Sequence, residues 1–193
     1  MIAIIDCGIG NVQSVKNALD CLGVESAITS SASDVGAADR VVLPGVGAFG
    51  AMMEALRERG LIEVLKDYLS TGKPFLSICL GMQALFETSE ESPGVSGLGV
   101  LKGSVQKFNL GKVPQMGWNT ILPCPPSLLA KGYGYFANSY YVVPADPAIV
   151  TATSEYGCSF ACTVESGSIT AVQFHPEKSG DYGLQFLERW LLC

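Results

Sequence analysis

Short apolar runs that alternate with amphipathic helical segments dominate the first half of the chain. Four short runs are predicted strands: Met1 to Asp6, Val24 to Ile28, Val41 to Leu43 and Phe75 to Ile78. The first is rich in isoleucine and has the composition of a parallel strand buried on both faces. Helical segments follow them at Val12 to Leu22, 51–59, 61–70 and Leu80 to Thr88. Strands that alternate with helices imply a parallel sheet covered by helices on both faces, so the fold class is α/β.

The second half of the chain follows a different pattern. Short strands separated by proline and glycine turns are predicted at about 99–108, 133–143, 149–152, 159–164 and 168–174, and a final helix at 181–192. They add antiparallel strands to the mostly parallel sheet. The 193 residues show neither an internal repeat nor a linker, so we expect a single domain over residues 1–193.

Composition excludes several functions. The net charge is −6 and lysine and arginine form no cluster, which argues against a nucleic-acid partner. No apolar run reaches the roughly 18 residues of a membrane span, and the N-terminus lacks the features of a signal peptide. Seven cysteines without a regular spacing suit the reduced thiols of a cytoplasmic protein. Cys158 and Cys162 with a single histidine do not complete a zinc site, so we expect no metal.

The segment after the first strand has the form Gly8-x-Gly10, which is part of a dinucleotide-binding fingerprint. Gln13 stands where that fingerprint needs a third glycine for close packing of helix on strand. A tight turn at Gly8-Ile9-Gly10-Asn11 explains the glycines better, and we expect no organic cofactor.

Cys79 lies at the junction between a predicted buried strand and a helix. This is the geometry of a nucleophile elbow, in which the reactive atom stands at the edge of the sheet. The helix N-terminus supplies positive potential and free N–H groups, which favour the reactive thiolate. Gly81 leaves room for the tight backbone. The alternative is that Cys79 is a small buried apolar residue, as most free cysteines are.

The single histidine supplies the partner that a cysteine nucleophile needs. His175-Pro176-Glu177 follows the predicted strand at 168–174. Residues two apart in an extended segment project to the same side, so Glu177 can orient the His175 ring and stabilise its charged form. The alternative is that His175 is a surface histidine and that Glu177 is its neighbour without a functional role. The cysteine elbow and the His-x-Glu, each at a predicted sheet edge, together favour nucleophilic catalysis.

An acyl-transfer site also needs donors for a developing oxyanion. The glycine-rich segment Pro44 to Gly47 follows the third strand, so it lies at the same edge of the sheet as Cys79. The N–H of Gly47 and the N–H of Leu80 are the predicted donors. The alternative is an ordinary glycine-rich turn.

On these residues the chain resembles the triad (class I) glutamine amidotransferases over nearly its whole length. Within that family it is most similar to the glutaminase subunits of imidazole glycerol phosphate synthase. Four segments carry the resemblance: 44–49 (PGVGAF), 78–83 (ICLGMQ), 116–119 (MGWN) and 173–180 (QFHPEKSG). The second and fourth mark the wider family, and the MGWN segment and the KSG ending are more particular to these subunits.

The resemblance implies a role for each matching residue. Cys79 would attack the side-chain carboxamide of L-glutamine and form a thioester. His175 would be the acid and base, Glu177 would orient it, and Gly47 and Leu80 would hold the oxyanion. The substrate's polar backbone end would be bound by Gln83, Ser139 and Tyr140. Neither metal nor organic cofactor would be required.

The resemblance also implies a partner. Ammonia would pass to a cyclase subunit with a (βα)₈ barrel, which forms a heterodimer with the glutaminase. Residues expected at or near that interface are Asn11, Trp118, Asn119, Tyr135 and Lys178. For Trp118, ordinary core packing is the alternative.

Three positions depart from the family pattern. Gln115 and Asn138 stand where the family usually has histidine, and Ser77 replaces a usual glycine. Glutaminase chemistry survives these changes, but the acceptor stays open. A paralogous glutaminase that supplies another synthase, for example in amino-sugar biosynthesis, is a second reading. A non-catalytic interaction module with the same fold is a third.

Overall fold

A computed structural model describes residues 1–8 and 10–193 of the chain. The predicted turn at 8–11 therefore includes one residue, Ile9, that lies outside the described residues. The helices are α1 (Val12–Cys21), α2 (Ala32–Ala37), α3 (Phe49–Glu58), α4 (Leu61–Ser70), α5 (Leu80–Ala84) and α6 (Gly180–Leu191). The strands are β1 (Ile2–Ile5), β2 (Ser26–Thr29), β3 (Arg40–Gly45), β4 (Phe75–Cys79), β5 (Thr88–Ser89), β6 (Gly103–Lys107), β7 (Gln115–Pro123), β8 (Gly132–Asn138), β9 (Tyr140–Pro144), β10 (Val150–Glu155), β11 (Ser159–Ser166) and β12 (Ile169–Val172).

Within the described residues the strands form one mixed sheet. Its main path runs β2-β1-β3-β4-β12-β11-β10-β7-β8. The first five strands of that path are parallel, and the pairs from β12 to β8 are antiparallel. β9 pairs with β11 and β6, and β6 pairs with β5. The predicted α/β class, a mostly parallel sheet flanked by helices with additional antiparallel strands, is confirmed.

Helices cover both faces of the parallel strands. β1 is buried along its whole length, as its unbroken apolar run predicts. α3 and α4 pack on one face through side chains such as Met52 and Leu65. α1 and α6 pack on the other through Leu19 and Trp190, among others. None of the helices in the described part of the chain has the length and apolarity to cross a membrane.

Several predicted bounds were wrong. The strand predicted at 133–143 is two strands, because the chain breaks at Ser139 and β9 leaves β8 to pair with β6 and β11. The helix predicted from Leu80 to Thr88 ends at Ala84. Three elements were missed, and one of them, β5, has only two residues. α2 is short and held by a polar cap at Ser31, and β7 carries exposed apolar residues that hide the alternation of a half-buried strand.

The sheet brings three chain segments to one edge. Gly45 at the end of β3 lies beside Cys79 at the end of β4, and Val172 of β12 pairs with Ile78. Because these strands are parallel, the segments that follow them start at the same carboxyl edge. Ligands bind at this edge in open α/β sheets.

Candidate active site

Cys79 occupies a strained backbone conformation at the turn from β4 into α5. Its φ is 55°, and among the non-glycine residues that the structure describes it alone has a positive φ. Such strain persists where the surrounding structure holds it. α5 lies directly against β3, since a methyl group on Gly81 would stand 2.0 Å from the carbonyl oxygen of Leu43. As the first residue of α5, Leu80 has an N–H without an acceptor inside the helix.

Hydrogen bonds on both sides fix the backbone of His175. Its N–H donates to the Tyr135 carbonyl of β8 at 2.8 Å. The Ser179 hydroxyl donates to the His175 carbonyl at 2.6 Å and accepts from the Tyr135 N–H at 2.9 Å. Ser179 belongs to one of the family segments but had no predicted role. The structure makes it the side chain that ties the histidine to β8.

The imidazole of His175 lies between Cys79 and Glu177. Its Nδ1 is 2.8 Å from Glu177 Oε1, and both side chains are buried. Burial acts to lower the pKa of His175, but the Cys79 sulfur and the Glu177 carboxylate outweigh it and raise that pKa to about 10. Both neighbours therefore favour the charged form of the ring, which lies between the sulfur and the carboxylate.

Replacement of Glu177 with glutamine is expected to lower the pKa of His175 by about one unit or more, because it removes a negative charge and a hydrogen-bond acceptor. In the wild type the folded chain binds this proton more tightly than the unfolded chain. The resulting stabilisation is complete below about pH 6.5 and is lost as the pH rises towards about 10. The variant should lose it at lower pH. Since the chain has one histidine, its imidazole NMR signals report the titration without ambiguity.

The exposed Glu188 of α6 provides the control for this experiment. Glu188→Gln makes the same change in charge away from the ring and should leave the His175 titration in place. An unchanged titration in Glu177→Gln would show that the carboxylate does not set the charge of the imidazole.

A pocket of about 190 Å³ opens onto the Cys79 sulfur. Its lining includes these predicted residues: Gly47, Cys79, Leu80, Gln83, Ser139, Tyr140, His175 and Lys178. Gly47 has a φ of 98°, a conformation that favours glycine. The structure thus brings together the predicted nucleophile, base, oxyanion donors and substrate-binding positions. Glu177 stands behind His175 and does not line the pocket.

Two glutamine side chains link the pocket to the nucleophile. Gln83 Nε2 donates to the Tyr140 carbonyl and to Gln173 Oε1, both at 3.1 Å. Gln173 Nε2 lies 3.5 Å from Cys79 Sγ. Sequence reasoning quoted Gln173 within a motif but gave it no role. Its signal was its position, a large polar residue between Val172 and Phe174 just before the single histidine.

Glu91 lines the pocket and was missed, because the segment from Thr88 to Gly97 reads as a polar loop. Its Oε2 accepts from the Phe49 N–H at 2.7 Å, at the first residue of α3. The Ser92 hydroxyl accepts from the next N–H, that of Gly50, at 3.0 Å. The loop therefore caps the helix that follows Gly47, and it places a carboxylate at the pocket wall.

Trp118 is 59% exposed, so the alternative that it packs in the core is wrong. It meets the edge of the Tyr135 ring at a centroid distance of 6.3 Å, and Lys178 Nζ lies 5.9 Å from that ring. Met116 and Tyr133 on the same two strands are also exposed. We call Met116, Trp118, Tyr133 and Tyr135 the β7–β8 patch. It adjoins the pocket, whose lining includes Ala137 of β8 and Lys178.

The other two predicted interface residues have partners inside the chain. Asn11 caps α1, where its side chain accepts from the Ser14 N–H. Asn119 donates to the Glu155 carbonyl and accepts from the Thr120 N–H. Both therefore serve the fold, and their place at an interface stays a prediction.

Metal ligands do not gather at this site. Across residues 1–8 and 10–193, no three side chains of histidine, cysteine, aspartate or glutamate form a group that could hold a metal ion. The acid and base groups that line the pocket belong to Cys79, Glu91, Tyr140, His175 and Lys178.

Comparison with known sequences gives one consistent result. The model of the class-I glutamine amidotransferases matches residues 3–192. Imidazole glycerol phosphate synthase subunit HisH of Rhodopirellula baltica is 46% identical, over 98% of this chain and 96% of the relative. The subunit of the same name from Methanothermobacter thermautotrophicus is 46% identical, over 99% of this chain and 98% of the relative.

Solved structures share the fold at low sequence identity. A glutamine amidotransferase crystal structure has a TM-score of 0.80 at 22% identity, over 98% of this chain and 99% of its own. The structure of PurLQS from Thermotoga maritima has a TM-score of 0.80 at 19% identity, over 99% of this chain and 97% of its own. These likenesses support the fold of the chain.

Proposed function

The chain belongs to the class-I glutamine amidotransferases, and from this we propose that it is the glutaminase subunit of an imidazole glycerol phosphate synthase. One observation supports the chemistry above all. The imidazole of His175 and the sulfur of Cys79, 96 positions apart in the chain, meet in one pocket at the carboxyl edge of the sheet. Its relatives, HisH subunits at 46% identity, support the choice of synthase.

The proposed reaction uses Cys79 and His175 in two steps. The Cys79 thiolate attacks the side-chain carbonyl carbon of glutamine, and the N–H groups of Gly47 and Leu80 stabilise the negative oxygen. The His175 imidazolium gives its proton to the amide nitrogen, the C–N bond breaks and ammonia leaves a thioester. Neutral His175 then takes a proton from water. The hydroxide attacks the thioester, and the C–S bond breaks to release glutamate and the thiolate.

The pocket offers groups for the other end of the substrate. Glu91 is a carboxylate at its wall, suited to the α-ammonium group of glutamine. The side-chain nitrogen of Gln83 is held by two acceptors inside the protein, which leaves its oxygen to accept from the same ammonium group. Ser139 and Tyr140 border the pocket at the break between β8 and β9. Their carbonyls accept hydrogen bonds from within the protein, so their N–H groups are the proposed donors to the substrate carboxylate.

A subunit of a synthase complex needs a surface for its partner. The β7–β8 patch presents Trp118, an aromatic residue of the kind that anchors interfaces, next to the pocket. Ammonia released into water would be protonated and lost as a nucleophile, so a partner at this position can receive it directly. We propose that the partner is the cyclase subunit, a (βα)₈ barrel that forms a heterodimer with this chain. A cytoplasmic location is a further prediction, from the cysteine pattern.

Reconstitution with the purified cyclase tests this function. Glutamine should support formation of imidazole glycerol phosphate by the complex, at a rate that the cyclase alone reaches only with added ammonia. If ammonia supports the product and glutamine plus this chain does not, the histidine-pathway assignment is wrong. Glutaminase activity that appears with another synthase would then favour the paralogous reading.

Replacement of Trp118 with alanine is expected to weaken cyclase binding by about 10- to 100-fold, because it removes a large exposed ring at the centre of the proposed interface. Titration calorimetry of the two subunits measures this effect. The exposed Leu192, at the C-terminal end of α6, supplies the control. Leu192→Ala should bind like the wild type, and equal affinity in the Trp118 variant would place the interface elsewhere.

A further inference from the structure

The side chain of Gln173 is enclosed between the substrate pocket and the nucleophile. It is fully buried, on the strand segment that leads from β12 to His175. Its Nε2 lies 3.5 Å from Cys79 Sγ, and its Oε1 accepts from Gln83 Nε2 at 3.1 Å. A polar side chain in such a place costs free energy unless its hydrogen bonds are made.

The neighbours of Gln173 determine which end of its amide faces the sulfur. The Tyr140 carbonyl can only accept, so the atom of Gln83 beside it must be nitrogen. The same nitrogen of Gln83 donates its other hydrogen to the side chain of Gln173, so the Gln173 atom that accepts this hydrogen bond must be oxygen. The remaining end of Gln173 is therefore the NH₂ group, and it is a donor towards Cys79. A backbone carbonyl thus removes the usual ambiguity of a glutamine flip.

A fixed N–H donor at a sulfur favours the thiolate over the thiol. The bond to a charged acceptor is stronger than the bond to a neutral one, and the amide cannot itself take up the proton. The thiolate is the form that attacks a carbonyl carbon. We propose that Gln173 is a catalytic residue of this site, whose amide group contacts the Cys79 sulfur, holds it in position and stabilises its thiolate beside the His175 imidazolium.

The same contacts couple substrate binding to the nucleophile. Gln83 lines the pocket and holds the oxygen of Gln173, and Asn138 donates to the Tyr140 carbonyl at 2.9 Å. Two hydrogen bonds, from Gln83 to Gln173 and from Gln173 to the sulfur, then connect Cys79 to a substrate that binds Gln83. This inference rests on the proposed glutaminase function and adds to it a residue that the triad does not contain.

Gln173→Glu provides the sharpest test, since it keeps an oxygen for Gln83 and replaces the NH₂ group at the sulfur with a second oxygen. The pH profile of Cys79 alkylation by iodoacetamide, followed by mass spectrometry of the Cys79 peptide, measures how much thiolate is present. We expect its midpoint to rise by about one pH unit or more. Glutamine hydrolysis in the complex should fall about 100-fold in kcat, with a smaller change in KM.

Two further variants separate this contact from general damage. Gln173→Met fills similar space without a donor, and its alkylation midpoint should rise by less than that of Gln173→Glu. Gln185→Glu puts the same charge on an exposed position of α6, and its Cys79 alkylation midpoint should equal that of the wild type. Circular dichroism checks that each variant is folded. Wild-type alkylation profiles in both folded Gln173 variants would overturn the proposal.

An observation on the unsubstituted residue covers the case in which neither Gln173 variant folds. The side-chain amide protons of Gln173 should shift in the NMR spectrum when Cys79 is replaced with alanine, because they lose the sulfur as acceptor. Unshifted amide protons would reject the contact. Alkylation and NMR need no glutamine turnover, so failure of the proposed function and failure of this inference give different results.

Discussion

Cys79→Ala is expected to reduce glutamine hydrolysis by at least about a thousandfold, measured with the partner subunit present. The substitution removes the atom that forms the thioester, and no other cysteine lines the described pocket. The fold should survive, because the side chain is small. Circular dichroism and cyclase binding should therefore resemble those of the wild type. Ammonia-dependent synthesis by the complex should also continue, since it does not use this site.

The matched control is Cys193→Ala, at an exposed cysteine of the chain end. It should retain wild-type turnover. If Cys79→Ala hydrolyses glutamine as fast as this control, the chain is no thiol enzyme. Absence of turnover in the wild type as well, with cyclase binding intact, would instead favour the non-catalytic interaction module.

Gly81→Ala is expected to damage both the stability of the fold and the activity of the site. The added carbon would stand 2.0 Å from the Leu43 carbonyl oxygen, so α5 must move away from β3. We expect a loss of about 2–3 kcal/mol in the free energy of unfolding. Because α5 starts directly after Cys79, the sulfur and the Leu80 N–H move with it. Glutamine hydrolysis should fall by about 100-fold or more.

Gly36 is a glycine at which an added methyl group should be tolerated. It lies within α2, and a methyl group there meets nothing within 4 Å. Gly36→Ala should keep full activity and stabilise the fold by about 0.5–1 kcal/mol, because alanine favours helix. Urea unfolding of both variants measures the difference. Equal stability of the two would mean that α5 does not press on β3 as closely as the structure shows.

The parallel half of the fold was predictable because its inner strands β1, β3 and β4 are apolar and buried. An unbroken apolar run such as that of β1 distinguishes this kind of strand, and the alternation with helices then sets the sheet type. The antiparallel half was harder. β7 exposes Met116 and Trp118 on one side, so its pattern does not show a core face. A strand that exposes apolar residues for a partner lacks the regular alternation of polar and apolar residues by which a half-buried strand is recognised.

The candidate site also has residues that the sequence identified and residues that it did not. Cys79 and His175 were identified because each belongs to a residue type with distinctive chemistry and lies at a predicted strand end. Glu91 and Gln173 were not given roles. The first reaches the pocket from the loop after β5, which caps α3, and the second makes its contacts with residues far away in the chain. Sequence periodicity holds no information about such contacts, which arise from the tertiary fold.

The backbone hydrogen bond between His175 and Tyr135 has a consequence for control of the enzyme. Tyr135 belongs to the β7–β8 patch, and its carbonyl accepts from the N–H of His175, the proposed base. We therefore expect a partner that contacts this strand to influence the position of the imidazole through one backbone hydrogen bond. Coupling between assembly and turnover would then need no relay through the body of the protein.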